Sequence, residues 1–185
     1  MILQNNMSEK QVKAVIMDSP AVNRSLTRIA HEILERNGSA LNIVMIGVKS
    51  RGTPLAKRIA SKIFDIEGAQ LSVGEVDITF YRDDVEHSEQ PVLNSTTVDF
   101  DITGKDVVLV DDVIFTGRTV RAALEAVFHL GRPKTVQLAV LVDRGLRELP
   151  FRPDYVGKNV PTRHSELVSV SVFEIDGEDI VTIKE

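Results

Sequence analysis

The sequence contains no cysteine, and only 5% of its residues are aromatic. Without cysteine the chain cannot form disulfides or thiolate metal sites, and it suits a reducing cytosol. It also lacks any apolar stretch near the length of about 20 residues that spans a bilayer. The first residues, among them Gln4, Asn5 and Ser8, are polar and do not form the apolar run of a signal peptide. We therefore expect a cytoplasmic protein that has no membrane partner.

A large excess of charge is absent as well. The net charge is −5 at pH 7, so the chain has no general attraction to nucleic acid. We expect no DNA partner, although this balance does not exclude a local basic surface. A length of 185 residues is sufficient for one substantial core. We predict a single domain over residues 1–185, in which residues 1–11 form a polar N-terminal extension.

Apolar runs of strand length alternate with helical patterns along the chain. The strands are apolar on both faces, which indicates an α/β fold with a mostly parallel central sheet flanked by helices. The first helix is predicted to have Ser19 as its N-cap and to stop at Asn37 and Gly38. Two short alternating segments, 168–173 and 180–183, predict edge strands or a small hood. The other predicted strands are 14–17, 43–48, 73–80, 107–110 and 136–142, and further helices follow Gly52 and Gly117.

Residues 107–119 have the sequence VVLVDDVIFTGRT and place polar groups at the end of a strand. The four apolar residues lead to the carboxyl end of a central strand, where open α/β sheets bind their ligands. Asp111 and Asp112 follow, and their carboxylates can accept hydrogen bonds from the vicinal hydroxyls of a ribose. Two adjacent aspartates after a strand are by themselves an ordinary solvated turn.

The next four residues, Thr116, Gly117, Arg118 and Thr119, open a helix. The N–H groups and the positive dipole end of a helix N-terminus favour a phosphate. Gly117 permits close approach of the backbone, and the two threonine hydroxyls add donors. Combined with the aspartate pair, this loop describes a pocket for ribose 5-phosphate.

Over its whole length, the stretch 107–119 resembles the signature with which type I phosphoribosyltransferases bind phosphoribosyl pyrophosphate (PRPP). A Walker loop and a Gly-x-Gly-x-x-Gly motif are both absent. In that family a second loop, between an earlier strand and its helix, binds the pyrophosphate. Here it corresponds to Ser50, Arg51 and Gly52, although Ser50 replaces a usual threonine. Without the first motif, we would interpret these residues as a routine strand-to-helix turn.

Residues 82–104 are polar and show no strong periodicity. Type I enzymes cover their site with a flexible loop that excludes water, and the resemblance implies that residues 82–104 form such a flap. Arg82 would then reach the pyrophosphate as it leaves. The alternative is an exposed hairpin with no role in chemistry.

The resemblance to the PyrR family extends over nearly the whole chain from about residue 13. It is carried by the segments SLTRIAHEILE (25–35), DITFYRDD (77–84), VVLVDDVIFTGRTVR (107–121), QLAVLVDRGLRELP (137–150) and DYVGKNVPT (154–162). Membership would imply that uracil and PRPP give UMP and pyrophosphate with Mg²⁺, without dedicated protein ligands for the metal. It would also imply UMP-dependent binding to the leader mRNA of pyrimidine genes, and assembly into dimers or larger homo-oligomers.

The enzymatic alternative is a 6-oxopurine phosphoribosyltransferase that acts on hypoxanthine or guanine. Those enzymes carry an aspartate just before Thr-Gly, where this chain has Phe115, and often a lysine where it has Asp143. Because Phe115 cannot exchange a proton with a purine ring nitrogen, we predict a pyrimidine base. The base is expected beside Asp143 and the segment Tyr155, Val156 and Gly157, for which a core strand is the alternative.

A non-catalytic, nucleotide-sensing RNA-binding regulator is a further alternative. In PyrR proteins the first helix lies on a basic surface proposed to hold RNA. Residues at three- and four-residue spacing share a helix face, although a solvated helix face is the ordinary interpretation. Family members often have histidine where this chain has Leu146, which weakens the expectation of contacts at that loop. The residues expected on the RNA surface are Arg24, Thr27, Arg28, His31, Arg36, Arg144, Arg147 and Lys158.

Overall fold

The computed structural model describes residues 11–79 and 96–185. The N-terminal extension up to residue 10, and Arg82 with the first part of the predicted flap, lie outside the described residues. In chain order the elements are β1 (Val12–Met17), α1 (Ser19–Asn37), β2 (Ile43–Val48), α2 (Gly52–Glu67), β3 (Val73–Val76), β4 (Asp106–Ile114), α3 (Arg118–Leu130), β5 (Thr135–Asp143), β6 (Tyr155–Asn159), β7 (Leu167–Ser171), α4 (Phe173–Asp176) and β8 (Ile180–Lys184).

Five strands form a parallel sheet in the order β3-β2-β4-β5-β6. The central strand β4 is buried from Asp106 to Asp111, as the apolar composition of this run predicts. Val108 and Val110 pack in the core cluster that contains α1 and α2, whereas Val107 and Leu109 pack in the cluster that contains α3. Helices therefore cover both faces of the sheet, which confirms the predicted α/β architecture.

The first helix begins one residue earlier than the proline pattern suggested. Asp18, not Ser19, is its N-cap, and the Asp18 carboxylate accepts the N–H of Ala21 at 2.9 Å. At the other end Gly38 adopts a left-handed conformation with φ 68° and donates its N–H to Leu34. This ending matches the prediction, because glycine tolerates the left-handed backbone that closes a helix.

A second, antiparallel sheet has the order β1-β8-β7. Together with α4 it forms what we call the hood, which joins the first strand of the chain to the last two. Val168, Val170, Val172 and Val181 are buried in the same cluster as α1 and α2. The hood therefore shares its core with one face of the parallel sheet, and the predicted small hood is confirmed.

Several predicted boundaries differ in the structure. Strand β3 ends at Val76, before the predicted residue 80, and β4 continues to Ile114, so the aspartate pair lies within the strand. Thr97 exchanges backbone hydrogen bonds of 2.9 Å with Glu75, and Ile102 is fully buried. Thr97 is thus paired with β3 and Ile102 belongs to the core on the α3 side of the sheet, and a flap over residues 82–104 stays a prediction. Within residues 11–79 and 96–185, no helix is both long and apolar enough to cross a membrane.

Candidate active site

Strands β2, β4 and β5 are neighbours in the sheet and end at the same edge, which we call the carboxyl edge. Three loops leave the sheet there: residues 49–51 before α2, residues 115–117 before α3, and the β5–β6 loop at residues 144–154. The sequence predicted functional groups in all three. The parallel topology brings them together, because the ends of adjacent parallel strands share one edge.

The aspartate pair lies at the end of β4 with little access to water. Asp111 is 7% exposed, and one of its carboxylate oxygens accepts the N–H of Asp112 at 2.9 Å. Asp112 in turn accepts the N–H of Val113 at 2.8 Å. Burial and the neighbouring charge of Asp112 raise the pKa of Asp111 well above its usual range. Burial also raises the pKa of Asp112, and the positive charge of Arg51 opposes that rise.

Two desolvated carboxylates gain free energy from any hydroxyl donor or cation that enters beside them. Their oxygens suit the vicinal hydroxyls of a sugar, and they suit Mg²⁺ that shares its coordination with substrate oxygens. The described residues contain no group of three or more His, Cys, Asp or Glu side chains arranged to hold a metal. The carboxylates of Asp111 and Asp112 can contribute oxygen ligands to a cation that a phosphate-bearing ligand brings with it.

The loop between β4 and α3 presents an uncapped helix N-terminus to the carboxyl edge. Gly117 is the N-cap with φ 93° and has no side chain to cap α3, although the Thr116 hydroxyl accepts the N–H of Arg118 at 3.3 Å. The positive φ of Gly117 favours glycine, and a Cβ there would lie only 3.1 Å from the ring of Phe151. Thr116 and Thr119 flank it on a partly open surface. The first N–H groups of α3 can accordingly bind a phosphate.

The β5–β6 loop supports the loop that precedes α3. The carbonyl of Thr116 accepts the N–H groups of Glu148 and Leu149, both at 2.9 Å. Arg118 donates to Glu148 at 2.8 Å. Sequence reasoning did not identify Glu148, because nothing in its local pattern distinguishes it from an exposed loop residue. These bonds hold the loop of residues 115–117 in one conformation before any ligand arrives.

The loop at residues 49–51 presents a second uncapped N-terminus, that of α2. The peptide bond between Lys49 and Ser50 is cis. A Cβ on Gly52 would lie 2.3 Å from the carbonyl oxygen of Val110, so glycine allows α2 to start directly against β4. Ser50 is exposed, and Arg51 is half-buried and close enough to Asp112 for its charge to act on that carboxyl group. The structure therefore brings the predicted pyrophosphate loop next to the predicted ribose site.

Arg51 also has a partner that the sequence did not reveal. Its guanidinium donates two hydrogen bonds to Asp176 of the hood, at 2.8 and 3.1 Å. The two residues are 125 positions apart in the chain, and Asp176 belongs to no motif. Only the packing of the hood over α2 could identify this contact.

On the β5 side, Asp143 lies at the carboxyl edge and accepts the N–H of Gly145 at 2.9 Å. Arg147 donates to Asp143 at 2.6 Å and also to the carbonyls of Phe115, Gly145 and Phe151. Arg147 is half-buried, and its predicted place on an RNA surface stays a prediction. Its donors connect three backbone segments of the site, because a guanidinium can serve several acceptors at once.

Arg144 was predicted on the same RNA surface but is buried. Only 4% of its surface is exposed, and its donors bind Thr162, Arg163 and Glu166. Its guanidinium stacks 4.0 Å from the ring centre of Phe115, and His164 approaches the same ring edge-on. A cation that stacks on an aromatic face and has its donors satisfied is stable when buried. Arg144 therefore shapes the surroundings of Phe115 and does not contribute to a basic surface.

The segment predicted to border the base lies in the sheet. Tyr155 is 3% exposed, and its hydroxyl donates to buried Gln137 at 2.6 Å. Tyr155 is aligned with Ala139, four residues before the end of β5, and Val156 packs in the core cluster of α3. The carbonyls of Val156 and Gly157 accept hydrogen bonds from Arg28. The structure thus supports the core-strand alternative, since all three residues lie before the carboxyl edge.

The remaining basic residues of the predicted RNA surface lie on α1 and β6. Arg24, Arg28 and Lys158 line one surface cavity of about 410 Å³, together with Met17, Ala21, Ser25 and Gly157. Thr27 and His31 lie on the same helix, and Arg36, near its end, pairs with Asp154. Arg28 also donates to Glu32, so part of its charge is balanced within the protein. The cavity is the part of the predicted surface where three basic side chains converge.

The fold and the three loops at the carboxyl edge define a phosphoribosyltransferase. The Phosphoribosyl transferase domain family matches residues 14–174. The hypoxanthine phosphoribosyltransferase of Staphylococcus aureus is similar in structure, with a TM-score of 0.72 at 17% identity over 94% of this chain and 92% of that one. That of Trypanosoma cruzi has a TM-score of 0.73 at 19% identity over 96% and 93%. At such identity the likeness shows the fold alone.

Sequence relatives are much closer. The protein named Bifunctional protein PyrR from Clostridioides difficile is 59% identical over 94% of this chain and 98% of that protein. The protein of the same name from Pelotomaculum thermopropionicum is 62% identical over 94% of this chain and 96% of that protein. The chain belongs to the PyrR family.

Proposed function

We propose that the chain is a uracil phosphoribosyltransferase that also regulates pyrimidine biosynthesis genes. It transfers ribose 5-phosphate from PRPP to uracil, which gives UMP and pyrophosphate, and it binds pyrimidine leader mRNA when UMP is bound. Membership in the PyrR family supports both activities. The observation that carries the transferase activity is the pair Asp111 and Asp112 beside two uncapped helix N-termini at one edge of the sheet.

In this proposal each loop binds one part of PRPP. The N-terminus of α3, with Thr116, Gly117, Arg118 and Thr119, holds the 5-phosphate, and Asp111 and Asp112 accept the ribose hydroxyls. Ser50, Arg51 and Gly52 hold the pyrophosphate at the N-terminus of α2.

The chemistry is a displacement at the anomeric carbon. The bond from C1′ to the pyrophosphate oxygen breaks, a bond from C1′ to uracil N1 forms, and the N1 proton is released. Positive charge develops on the ribose, and the carboxylates of Asp111 and Asp112 stabilise it. Mg²⁺ bound with PRPP supplies positive charge to the leaving pyrophosphate. Arg82 lies outside the described residues, so its contact with the pyrophosphate stays a prediction.

The choice of uracil over a purine rests on the surroundings of the base. Phe115 presents a ring that Arg144 and His164 hold in place, and a phenyl ring cannot accept or donate a proton. Asp143 occupies the adjacent end of β5, where its carboxylate can accept an N–H from a pyrimidine. The hypoxanthine enzymes of similar fold do not favour the purine alternative, because they share under a quarter of the sequence.

The cavity between α1 and β6 is the proposed RNA contact. Its three cations Arg24, Arg28 and Lys158 can pair with RNA phosphates, which dominate the affinity of most protein–nucleic acid complexes. Assembly into dimers or larger homo-oligomers stays a prediction. Size-exclusion chromatography with light scattering tests the assembly. A cytoplasmic location stays a prediction.

The transferase proposal is tested by measuring UMP formation from uracil, PRPP and Mg²⁺, with hypoxanthine and guanine in parallel. We expect turnover of uracil alone. Turnover of the purines would overturn the assignment of Phe115 and Asp143. Turnover of no base, combined with retained binding of UMP and RNA, would favour the non-catalytic regulator.

A double variant tests the ribose site. Changing Asp111→Asn and Asp112→Asn together removes both carboxylates while keeping their size. We expect transfer to fall below detection and the far-ultraviolet circular dichroism to stay unchanged. Preserved turnover in the folded double variant would show that the ribose binds elsewhere.

A further inference from the structure

The contact between Arg51 and Asp176 joins the hood to the loop that precedes α2. Two parallel hydrogen bonds connect one edge of the guanidinium to both carboxylate oxygens. Such two-point pairs fix the plane of the guanidinium as well as its distance. Arg51 also lies close enough to the aspartate pair for its charge to lower the pKa of Asp112. The orientation of Arg51 is therefore set at the site where the pyrophosphate is expected.

Asp176 is itself held by the hood. Its carboxylate accepts the N–H of Val172 at 2.8 Å, and its own N–H donates to the carbonyl of Val172. The rest of α4 is attached to α2 through Arg58, which binds Glu174 and Asp179 with distances of 2.6 to 3.0 Å. Because Arg58 anchors this segment independently, the place of Asp176 does not depend on Arg51.

We propose that Asp176 is a positioning residue that orients Arg51 for the pyrophosphate of PRPP. This inference rests on the proposed function of the loop at residues 50–52. A free arginine side chain loses rotamer freedom when it is immobilised on a ligand. Because Asp176 already holds Arg51 in the free protein, Arg51 loses less rotamer freedom when the pyrophosphate binds. Because the bonds to Asp176 use Nε and Nη2, the Nη1 donors of Arg51 can still bind an anion.

The test compares binding of magnesium pyrophosphate, by calorimetry, between the wild-type protein and Asp176→Asn. The asparagine keeps the size of the side chain and an oxygen that accepts the N–H of Val172. We expect the dissociation constant to rise about three- to tenfold, the range that the lost preorganisation produces. In steady-state assays with uracil, KM for PRPP should rise more than kcat falls. Unchanged or tighter binding would overturn the proposal, since tighter binding would make Asp176 a competitor of the pyrophosphate.

Asp179→Asn is the matched control, because Asp179 also attaches α4 to α2 but contacts Arg58 and not Arg51. It should lower the melting temperature and leave pyrophosphate affinity within about twofold of wild type. An equal loss of affinity in both variants would mean that the hood acts only by its general stability, and the positioning role would be rejected.

Two Arg51 variants separate this inference from the function on which it rests. Arg51→Lys loses the two-point contact, so adding Asp176→Asn to it should have little further effect on the dissociation constant. Arg51→Ala should weaken pyrophosphate binding strongly. If Arg51→Ala binds pyrophosphate as wild type does, the assignment of the loop fails as well. If Arg51→Ala weakens binding and Asp176→Asn does not, only the positioning role fails.

Discussion

At the scale of single residues, the aspartate pair of the binding site lowers the stability of the ligand-free protein at neutral pH. Asp111 is buried and Asp112 is half-buried, and burial raises the pKa of each carboxyl group. A raised folded-state pKa means that the protonated form is favoured on folding. The stabilising contribution is therefore complete below the unfolded pKa and is lost as the pH rises through the folded value. We expect bound PRPP and Mg²⁺ to offset this cost of burying charge at neutral pH.

The prediction at this scale concerns Asp111→Asn in the ligand-free protein. At pH 8 we expect the variant to melt at a higher temperature than wild type, because it buries no charge. In a chain of this size a shift of about 2–4 °C corresponds to about 1 kcal/mol. The difference should shrink as the pH falls toward the ordinary aspartate pKa of 3.8. Differential scanning fluorimetry across pH 4–8 measures it.

Addition of PRPP and Mg²⁺ provides the control for this prediction. Only the wild-type protein should gain stability from the ligand, so the order of the two melting temperatures should reverse. A variant that is less stable than wild type at pH 8 without ligand would contradict the proposed cost of burying the charge.

At the scale of elements, α1 has two roles that its sequence does not separate. Its apolar face, with Leu26, Ile29 and Ile33, packs on the sheet. On its polar face Arg28 donates to the carbonyls of Val156 and Gly157 on β6, an edge strand of the parallel sheet. Arg28 therefore satisfies backbone groups of β6 in addition to any contact with RNA. Arg24 and Lys158 are better probes of an RNA surface.

We predict that the double variant Arg24→Ala, Lys158→Ala weakens binding to pyrimidine leader RNA and leaves UMP synthesis unchanged. Each lost phosphate contact should reduce the slope of log K against log salt concentration by about 0.7. Filter binding at several salt concentrations measures both the affinity and the slope. Lys57→Ala with Lys134→Ala is the control, since both lysines are exposed, lie outside the cavity and remove the same charge. Equal RNA affinity in the two double variants would exclude the cavity as the interface.

At the scale of the whole molecule, the hood connects both ends of the described chain to one core. Strand β1 pairs with β8, for example through Val15 and Thr182, and β7 completes that sheet. Valines of the hood are buried among residues of α1 and α2. A hood that shares its apolar contacts with the main sheet should not open independently of it.

The corresponding prediction is that the hood and the parallel sheet unfold in one transition. Native-state hydrogen exchange should give similar free energies of opening for the amides of β8 and β4. Val181→Ala should lower both by about 0.5–3 kcal/mol, the usual range for truncating a buried aliphatic side chain. Leu41→Ala, at a side chain that is 89% exposed, is the control and should change neither. Low protection confined to β8 would show instead that the hood opens by itself.

Several features could be derived from the sequence because they depend on neighbouring residues. Strand runs such as residues 43–48, the glycine ending of α1 and the motif at residues 107–119 are local patterns, and they predicted the parallel sheet and its loops correctly. Boundaries were less accurate. The N-cap of α1 depends on a single hydrogen bond, and the length of β4 depends on pairing with adjacent strands. The periodicity of apolar residues reports neither of these.

The partners of the charged side chains were decided by the tertiary structure. Arg144 was expected on a surface but is buried against Phe115, and Tyr155 lies in the core. Arg51 meets Asp176 across 125 positions of chain. A long basic side chain in a sequence shows its charge but not the acceptor that it reaches, because that acceptor is supplied by whichever distant segment packs beside it. Backbone pattern and motif chemistry are local properties, whereas ion pairing is a property of the assembled fold.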